Sequence, residues 1–468
     1  MKKKLSFVLA LAMVASVMGG CKGANTAQSA SDSSLAAKEE GKESSENEES
    51  KNEQPASEQS GEKVHLKWAV KASEAGRAEF EEMAAMAEEA CNVDIEIIAL
   101  PDPGAGEANK LLISLMAGDE FDIVEDAYSN MKQFYEAGVI EELGPLAEAA
   151  GYDIEKIFGD YPASFDGKVY GLPAYVDKAI TIYNKDVFDQ AGVSYPEAKD
   201  WTWEKFIEIG KKLTDEKAGI YGAYNPDWVH YNYMYAMQKG FSHYKEDGTS
   251  NYDDPLFKES VKWYYDLGNT EKIQPSYLVQ KSKQMPVDYF TTGKVGMSVC
   301  GGWTTNWIID HDKYPRDWKA GVLPMPHPEG EDPSVSVVVS NVWVPTTSKN
   351  KERAFEVVKL FAEKQYTLGY GRIPARIDLT DAEIQDYIRD QILPALEPDG
   401  ITVEDIQAMW FDPDVNIFDE KPVGTASTEI KNIIVDECGL YGIGEQSLDD
   451  TVTHIKTKAD AAIETAEK

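Results

Sequence analysis

The chain has 468 residues and is strongly acidic, with 82 Asp and Glu against 46 Lys and Arg and a formal net charge of −36. This balance excludes nucleic acid as an expected partner, because binding to a phosphate backbone depends on Lys and Arg. It also argues against direct docking on an anionic lipid surface, which attracts basic segments.

Residues 1–20 have the features of a lipoprotein signal peptide. Lys2, Lys3 and Lys4 precede an apolar run, residues 5–18, that is too short to span a bilayer. The run ends in Gly19-Gly20-Cys21, which resembles the bacterial lipobox, although Met18 departs slightly from the aliphatic residue usual there. We expect a lipid anchor at Cys21; an ordinary secretory signal with an unrelated Cys is the alternative.

Residues 21–61 are predicted to be a disordered tether rich in Ser and Glu. The segment after Cys21 contains no aromatic residue and almost nothing aliphatic, so it cannot bury enough apolar surface to offset the entropy of ordering. The remaining residues exceed one ordinary hydrophobic core, and two domains are therefore expected.

The first part of the folded region alternates between predicted strands and helices. The predicted strands are residues 64–70, 93–98 and 121–124, and the predicted helices are 78–91 (Phe80, Met83, Ala84 and Ala87 on one face), 109–117 (Leu111, Leu112, Leu115 and Met116 at helical spacing) and 130–137. This rhythm predicts a parallel or mixed sheet with helices on both faces. Ligands of such sheets bind beyond the carboxyl ends of the strands, which makes residues 71–74 and 126–129 rim candidates.

The second part continues the alternation. Predicted elements are strands 179–183, 295–300 and 335–344 and helices 202–213, with Thr202 as N-cap, and 351–362. The two glycines and the proline of residues 165–173 predict a hairpin, and residues 183–186 predict a turn after a strand. Gly301 and Gly302 allow the main chain to approach a ligand closely, and Trp303 follows on the same loop.

Six segments together resemble the family 1 extracellular solute-binding proteins of ABC importers, the group that includes maltose- and multiple-sugar-binding proteins. The segments are KLLISLMAGDEFDIV (110–124), FDGKVYGLPAYVDKAITIYNKDVFDQAGV (165–193), DWTWEKFIEIGKKLT (200–214), YFTTGKVGMSVCGGWTTNWI (289–308), LPMPHPEG (323–330) and SNVWVPTTSKNKERAFEVVKLF (340–361). Each is a weak signal alone, but their order and their position behind a lipobox make the resemblance specific.

The resemblance implies an α/β fold of the two-lobe, periplasmic-binding-protein (Venus-flytrap) type. Each lobe is expected to be a mixed sheet flanked by helices, with hinge crossovers near residues 174–177, 340–342 and 372–376. The N-terminal lobe is then formed by 62–175 plus 342–375, and the C-terminal lobe by 176–341 plus 376–468.

The implied function is capture of a carbohydrate, expected to be an oligosaccharide, and its delivery to the permease subunits of an ABC importer. We expect a monomer without cofactor or enzymatic activity, lipid-anchored at the extracellular face of a Gram-positive-type cell membrane. Two alternatives remain open. In the first, a protein of the same fold binds a peptide, a polyamine or a phosphorylated compound instead of a sugar. In the second, the chain is a lipid-anchored glycoside hydrolase with two carboxylates across a cleft.

Sugar recognition needs flat aromatic rings for C–H faces and carboxylates or amides for hydroxyl groups. The predicted ligand-binding residues are Trp303, Asp177, Tyr175, Asp126, Tyr128, Trp343, Asn341, Arg372, Trp228 and Gly302. Trp303 matches the aromatic residue of the family after its strand, and Asp177 matches an acidic position that faces the cleft in sugar-binding relatives. Structural roles are the alternatives: core packing for the Trp residues and Tyr175, turn capping for Asp177, a solvated strand end for Asp126 and Tyr128, and ion pairing for Arg372.

No metal site is expected from the sequence. The six His residues are scattered, and residues 411–416 begin like a calcium loop but have Ile417 where the loop needs Gly and Val423 where it needs Glu. Cys91, Cys300 and Cys438 are widely separated, and an odd number cannot all pair internally. We interpret them as buried thiols, with one disulfide left open.

Overall fold

A computed structural model describes residues 63–72, 75–101, 109–368 and 371–466. These residues fall within one unit of the chain, Gln59–Lys468. The predicted signal peptide, the lipid attachment at Cys21 and the tether lie outside the described residues, as do Ser73 and Glu74 of the predicted rim.

Ten strands form in the described residues and pair into a mixed, curled sheet. They are β1 Val64–Lys71, β2 Val93–Leu100, β3 Ile123–Ala127, β4 Ala163–Phe165, β5 Lys168–Asn184, β6 Tyr221–Ala223, β7 Val295–Gly301, β8 Ala320–Pro324, β9 Ser334–Trp343 and β10 Asn416–Asp419. The main order is β2-β1-β3-β9-β5-β7-β6, with β10 on β9 and with β4 and β8 on β5.

Strand β5 connects two parts of this sheet. Residues 172–178 pair antiparallel with β9, which in turn pairs with β3 and β10. Residues 179–184 pair instead with β7 and β8. The predicted strand 179–183 and the second arm of the predicted hairpin are therefore one strand of 17 residues.

Helices pack against the strands of the sheet. They are α1 Ala78–Cys91, α2 Lys110–Ala117, α3 Tyr128–Glu136, α4 Gly144–Ala150, α5 Ile154–Phe158, α6 Lys185–Ala191, α7 Trp203–Leu213, α8 Met234–Met237, α9 Pro255–Asn269, α10 Tyr277–Lys283, α11 Asn306–Ile309, α12 Lys351–Lys364, α13 Asp381–Tyr387, α14 Leu393–Leu396, α15 Val403–Trp410, α16 Ser427–Gly442 and α17 Leu448–Ala466. Short 3-10 helices occur at Val229–Asn232, Tyr289–Thr292, Gly302–Thr305, Gln365–Leu368 and Glu397–Asp399, and a π-helix at Ile388–Ile392.

Several elements agree with the patterns that predicted them. Helix α1 has the predicted bounds and buries the four predicted residues, which are Phe80, Met83, Ala84 and Ala87. The side chain of Thr202 accepts a hydrogen bond from the Lys205 N–H and caps α7 as expected. The predicted hairpin forms between β4 and β5, with positive φ at Asp166 and Gly167 as its tight turn requires.

Other elements differ from their predictions. Strand β3 begins at Ile123 and extends to Ala127, so Asp126 lies within the strand rather than after it. In α2 only Leu115 is buried, and Met116 is 65% exposed, because this helix is apolar on most sides and its spacing does not identify an inner face. The predicted turn at 183–186 is the start of α6, where the Asn184 side chain accepts hydrogen bonds from the Asp186 and Val187 N–H groups.

The predicted thiols are present as free cysteines. Cys300 and Cys438 are buried and Cys91 is partly buried, and none of the three is in a disulfide. In the described parts of the chain, no three His, Cys, Asp or Glu side chains are grouped as a metal site. None of the helices between residues 63 and 466 combines the length and apolar character needed to cross a membrane.

Candidate ligand-binding site

A cavity of about 500 Å³ lies beside the residues where β5 changes its pairing partners. We call it the central cavity. It is lined by Lys71, Glu125, Asp126, Ala127, Asn130, Tyr175, Asp177, Trp228, Val229, His230, Trp303, Val338, Ser340, Glu420 and Lys421. The lining thus combines the ends of β1 and β3, the middle of β5 and β9, two 3-10 helices and the segment after β10.

Two tryptophans provide most of the aromatic wall. The rings of Trp228 and Trp303 have centroids 5.9 Å apart, and Trp307 packs edge-on against Trp303 at 5.3 Å. Trp303 is 38% exposed, which is unusual for so large an apolar side chain. Its ring is therefore held by aromatic neighbours and still open to a ligand.

Tyr175 adds a third ring from β5. The Arg372 guanidinium lies over this ring, with 4.4 Å between Cζ and the ring centroid, and its Nη2 lies 3.1 Å from Glu79 Oε1. Arg372 is buried and does not line the cavity, so it supports Tyr175 from behind.

Asp177 holds the loop that carries Trp303. Its Oδ1 accepts a hydrogen bond from the Gly302 N–H at the start of the 3-10 helix Gly302–Thr305. Burial, together with the nearby Glu420 carboxylate, raises the pKa of Asp177 to about 7. Asp177 and the backbone of Gly371 approach Gly302 closely because glycine has no Cβ atom. A Cβ added at Gly302 would lie 3.0 Å from Asp177 Oδ1 and 3.0 Å from the Gly371 carbonyl oxygen.

Asp126 and Asn130 form a polar pair on the β3 side. Asp126 is 7% exposed, and its Oδ1 accepts hydrogen bonds from Asn130 Nδ2 and from the Ala127 N–H, both at 2.8 Å. Lys71 Nζ lies 3.9 Å from the same oxygen. Of the rim predicted for residues 71–74, Lys71 and Ala72 are described, and Lys71 lines the cavity.

The segment after β10 contributes the remaining charges. Glu420 Oε1 lies 3.6 Å from His230 Nδ1 and 3.8 Å from Lys421 Nζ. Burial lowers the pKa of His230, with the Glu420 charge opposing the shift. The cavity therefore offers several hydrogen-bond acceptors, a smaller number of cationic donors and three large rings.

The structure brings together five predicted ligand residues, namely Asp126, Tyr175, Asp177, Trp228 and Trp303. Gly302 and Arg372 lie immediately behind two of them. Three predicted residues lie elsewhere: Tyr128 lines a different cavity, and Trp343 and Asn341 are fully buried. Trp343 packs on Phe134, and Asn341 accepts a hydrogen bond from the Ala163 N–H, so both have structural contacts.

Sequence reasoning missed Asn130, Glu420 and Lys421. Asn130 was treated only as the start of a helix. Glu420 and Lys421 follow β10, whose four residues have no apolar alternation and gave no strand signal. A local pattern for this part of the site was therefore absent.

The sequence matches the family described as bacterial extracellular solute-binding protein over residues 71–367. The chain belongs to this family. The prediction of a family 1 extracellular solute-binding protein is thereby confirmed.

Curated members of the solute-binding family are similar over part of their length. The diacetylchitobiose binding protein DasA of Streptomyces coelicolor is 26% identical over 282 residues, which is 57% of this chain and 62% of that protein. The maltotriose-binding protein of Pyrococcus abyssi is 25% identical over 309 residues, 63% of each chain.

Solved structures of solute-binding proteins share the fold over a larger share of the chain. An ABC substrate-binding protein of Listeria monocytogenes, in complex with cycloalternan, has a TM-score of 0.70 at 23% identity and covers 86% of this chain and 99% of its own. Maltose-bound MalE3 of T. maritima has a TM-score of 0.66 at 17% identity, covering 85% and 99%. The predicted two-lobe α/β fold is confirmed by this likeness. The positions of the lobe boundaries stay a prediction.

Proposed function

We propose that this chain is the substrate-binding lipoprotein of an ABC importer and that it captures an oligosaccharide in the central cavity for delivery to a permease. Membership of the extracellular solute-binding family supports the class of function. The relatives named for diacetylchitobiose and maltotriose support a carbohydrate as the solute. Anchoring through Cys21 and action as a monomer belong to the same proposal.

The observation that carries the proposal is the pairing of ring faces with hydrogen-bond acceptors in one cavity. Trp228, Trp303 and Tyr175 present aromatic surface of the kind that covers the C–H faces of a pyranose. Asp126 and Glu420 offer carboxylate oxygens to hydroxyl groups, and such charge-assisted hydrogen bonds are stronger than neutral ones. The volume of about 500 Å³ lies within the range of small-molecule sites.

A cationic solute is the second candidate, because the same lining would also suit an ammonium group. Rings and carboxylates together attract organic cations, and the cavity has the four acidic residues Glu125, Asp126, Asp177 and Glu420 against Lys71 and Lys421. A polyamine in place of the sugar would leave the receptor assignment intact.

The proposal predicts that Trp303→Ala weakens sugar binding by about tenfold or more, because a stacking face is lost while the fold is retained. Titration calorimetry measures this after a thermal-shift screen of mono- and oligosaccharides and polyamines has identified the best ligand. Tyr195→Ala is the matched control, since Tyr195 is 43% exposed and lines no part of the central cavity. The control should bind as the wild type does.

Two results would contradict the proposal. If polyamines raise the melting temperature and no carbohydrate does, the assignment of a sugar as the solute is wrong, whereas the assignment of the protein as a solute receptor is retained. If chromatography finds an oligosaccharide shortened after incubation with the protein, the chain is a hydrolase rather than a receptor.

A further inference from the structure

A second cavity, of about 570 Å³, lies on the opposite side of β9 from the central cavity. We call it the rear cavity. Val337 and Val339 line the rear cavity, whereas Val338 and Ser340 line the central one. Because successive residues of a strand point to opposite faces, β9 is a shared wall with one cavity on each side.

Aromatic rings line the rear cavity as they line the central one. Tyr128, Tyr161 and Phe418 reach it from α3, from the segment after α5 and from β10. The Tyr128 ring is stacked on Phe165 at 5.8 Å, which fixes its orientation. Val169 and Pro162 extend the apolar wall. The cavity is thus suited to a ligand with an apolar or aromatic body.

The charges of the rear cavity have one sign. Glu155, Asp160 and Asp419 line it, and none of its lining residues, all of which the structure describes, is a Lys, Arg or His. The Asp419 carboxylate makes no hydrogen bond or ion pair with another described residue, and burial raises its pKa to about 6. Asp419 is partly buried. A carboxylate that has lost part of its hydration and has no partner is costly, and a cation supplied by a ligand would compensate it.

A second unpartnered group lies in a small gap that shares lining residues with this cavity. Tyr128, Ser129 and Asp419 line an adjoining gap of about 10 Å³. Ser129 is 7% exposed, and its hydroxyl has no hydrogen-bond partner among the described residues. The basic residue at the gap, Lys421, lies 3.8 Å from the Glu420 carboxylate, which offsets its charge.

We propose that the rear cavity is a binding site for a primary amine that carries an aromatic or similarly apolar body. Its ammonium group would donate to Asp419, and its body would pack between Tyr128, Tyr161 and Phe418. This site is distinct from the central cavity and does not depend on which solute the central cavity takes. It would give the protein a second ligand of a different chemical class.

Titration calorimetry of the complete chain at pH 8 tests the proposal, with tyramine as the probe and tyrosol as its neutral analogue. Both compounds carry a phenol ring. Tyramine has an ammonium group at the position where tyrosol has a hydroxyl group. Tyramine should bind at least about ten times more tightly than tyrosol, because only the ammonium pairs with Asp419. Absence of tyramine binding, or equal binding of both compounds, would overturn the proposal.

Variants then locate the bound amine. Asp419→Asn should reduce tyramine affinity by about tenfold or more, while Asp414→Asn, an exposed position five residues earlier, should leave it unchanged. Trp303→Ala should also leave it unchanged, and a loss there would place the amine in the central cavity and overturn the assignment. If circular dichroism finds D419N unfolded, the exposed lining residue Asp160 serves instead: D160N should lower the affinity several-fold, and unchanged affinity would count against the site.

Discussion

Asp177 has two roles at the site: it positions a loop and it lines the central cavity. It anchors the Gly302 N–H and so positions the loop of Trp303, yet it also lines the central cavity near Glu420. Burial and the neighbouring negative charge both disfavour its ionised form, and its pKa is raised to about 7 against an ordinary value of 3.8. The carboxylate that holds the loop therefore titrates near neutrality.

This pKa predicts that Asp177→Asn makes the folded protein less sensitive to pH. Between about pH 4 and pH 7 the unfolded chain releases the proton of Asp177 while the folded chain keeps it, so the wild type loses stability as the pH rises. The amide oxygen of Asn still accepts from Gly302 and carries no charge. At pH 8 the variant should be more stable by roughly 1–3 kcal/mol, and at pH 4 the two should be equal.

Urea denaturation at pH 4, 6 and 8 measures the difference in free energy of unfolding. A constant difference between wild type and variant across this range would mean that folding does not raise the pKa of Asp177.

The sequence predicted residues of the central cavity where two signals agreed: a residue type suited to ligand binding, and a position at a strand end or in a family motif. Trp303 and Asp177 were predictable because one follows a glycine-rich strand end and the other matches an acidic position of the family. Trp228 and Tyr231 are three residues apart, a spacing that fits one face of a helix. Trp228 instead precedes the 3-10 helix Val229–Asn232 and lines the central cavity, whereas Tyr231 lies within that helix and is buried in the core. Spacing alone does not show which of the two faces a ligand.

At the scale of elements, two backbone segments meet at the site through glycines. A Cβ added at Gly371, where φ is +75°, would lie 2.3 Å from the Gly302 carbonyl oxygen and 2.8 Å from the Trp303 N atom. Gly302 begins the 3-10 helix that bears Trp303. The contact between the two segments therefore sets the position of the stacking ring.

Gly371→Ala is expected to be destabilising and to weaken ligand binding together. The left-handed backbone costs a non-glycine residue roughly 1–2 kcal/mol, and the clash with Gly302 adds at least about 1 kcal/mol. Gly330→Ala is the matched control, with φ of +87° and no atom within 4 Å of the added Cβ. Thermal unfolding and calorimetry together check the prediction. The control should lose stability without loss of affinity; similar affinities for the two variants would refute the role of the contact.

Elements with a strong local signal were predictable, and non-local pairings were not. Helix α1 follows from four apolar residues at helical spacing, and the β4–β5 hairpin follows from the two glycines and the proline of residues 165–173. The length of β5 was underestimated because one half pairs with β9 and the other with β7 and β8, which no local pattern encodes. β10 was missed for the same reason, since it gains its strand conformation from β9.

At the scale of the whole molecule, the acidic composition and the proposed anchor belong together. A chain with a net charge of −36 gains little from an anionic membrane surface, and the proposed covalent lipid would supply the attachment that charge does not.

Cys21→Ala is expected to release the protein into the medium and to abolish incorporation of an alkyne-labelled fatty acid. Cys91→Ala, which removes a free thiol from the folded region, should keep both the label and the membrane fraction. Retention of the label in C21A would show that the anchor is elsewhere.

The central cavity draws its lining from Lys71 through to Lys421 of a chain of 468 residues. During synthesis the ribosome delivers these residues in order, and Glu420 and Lys421 arrive among the last. A solute therefore has no complete binding site while the polypeptide is still being synthesised. A product truncated before residue 420 would keep most of the fold's strands yet lack part of the cavity wall, so added solute should stabilise it less than it stabilises the complete chain.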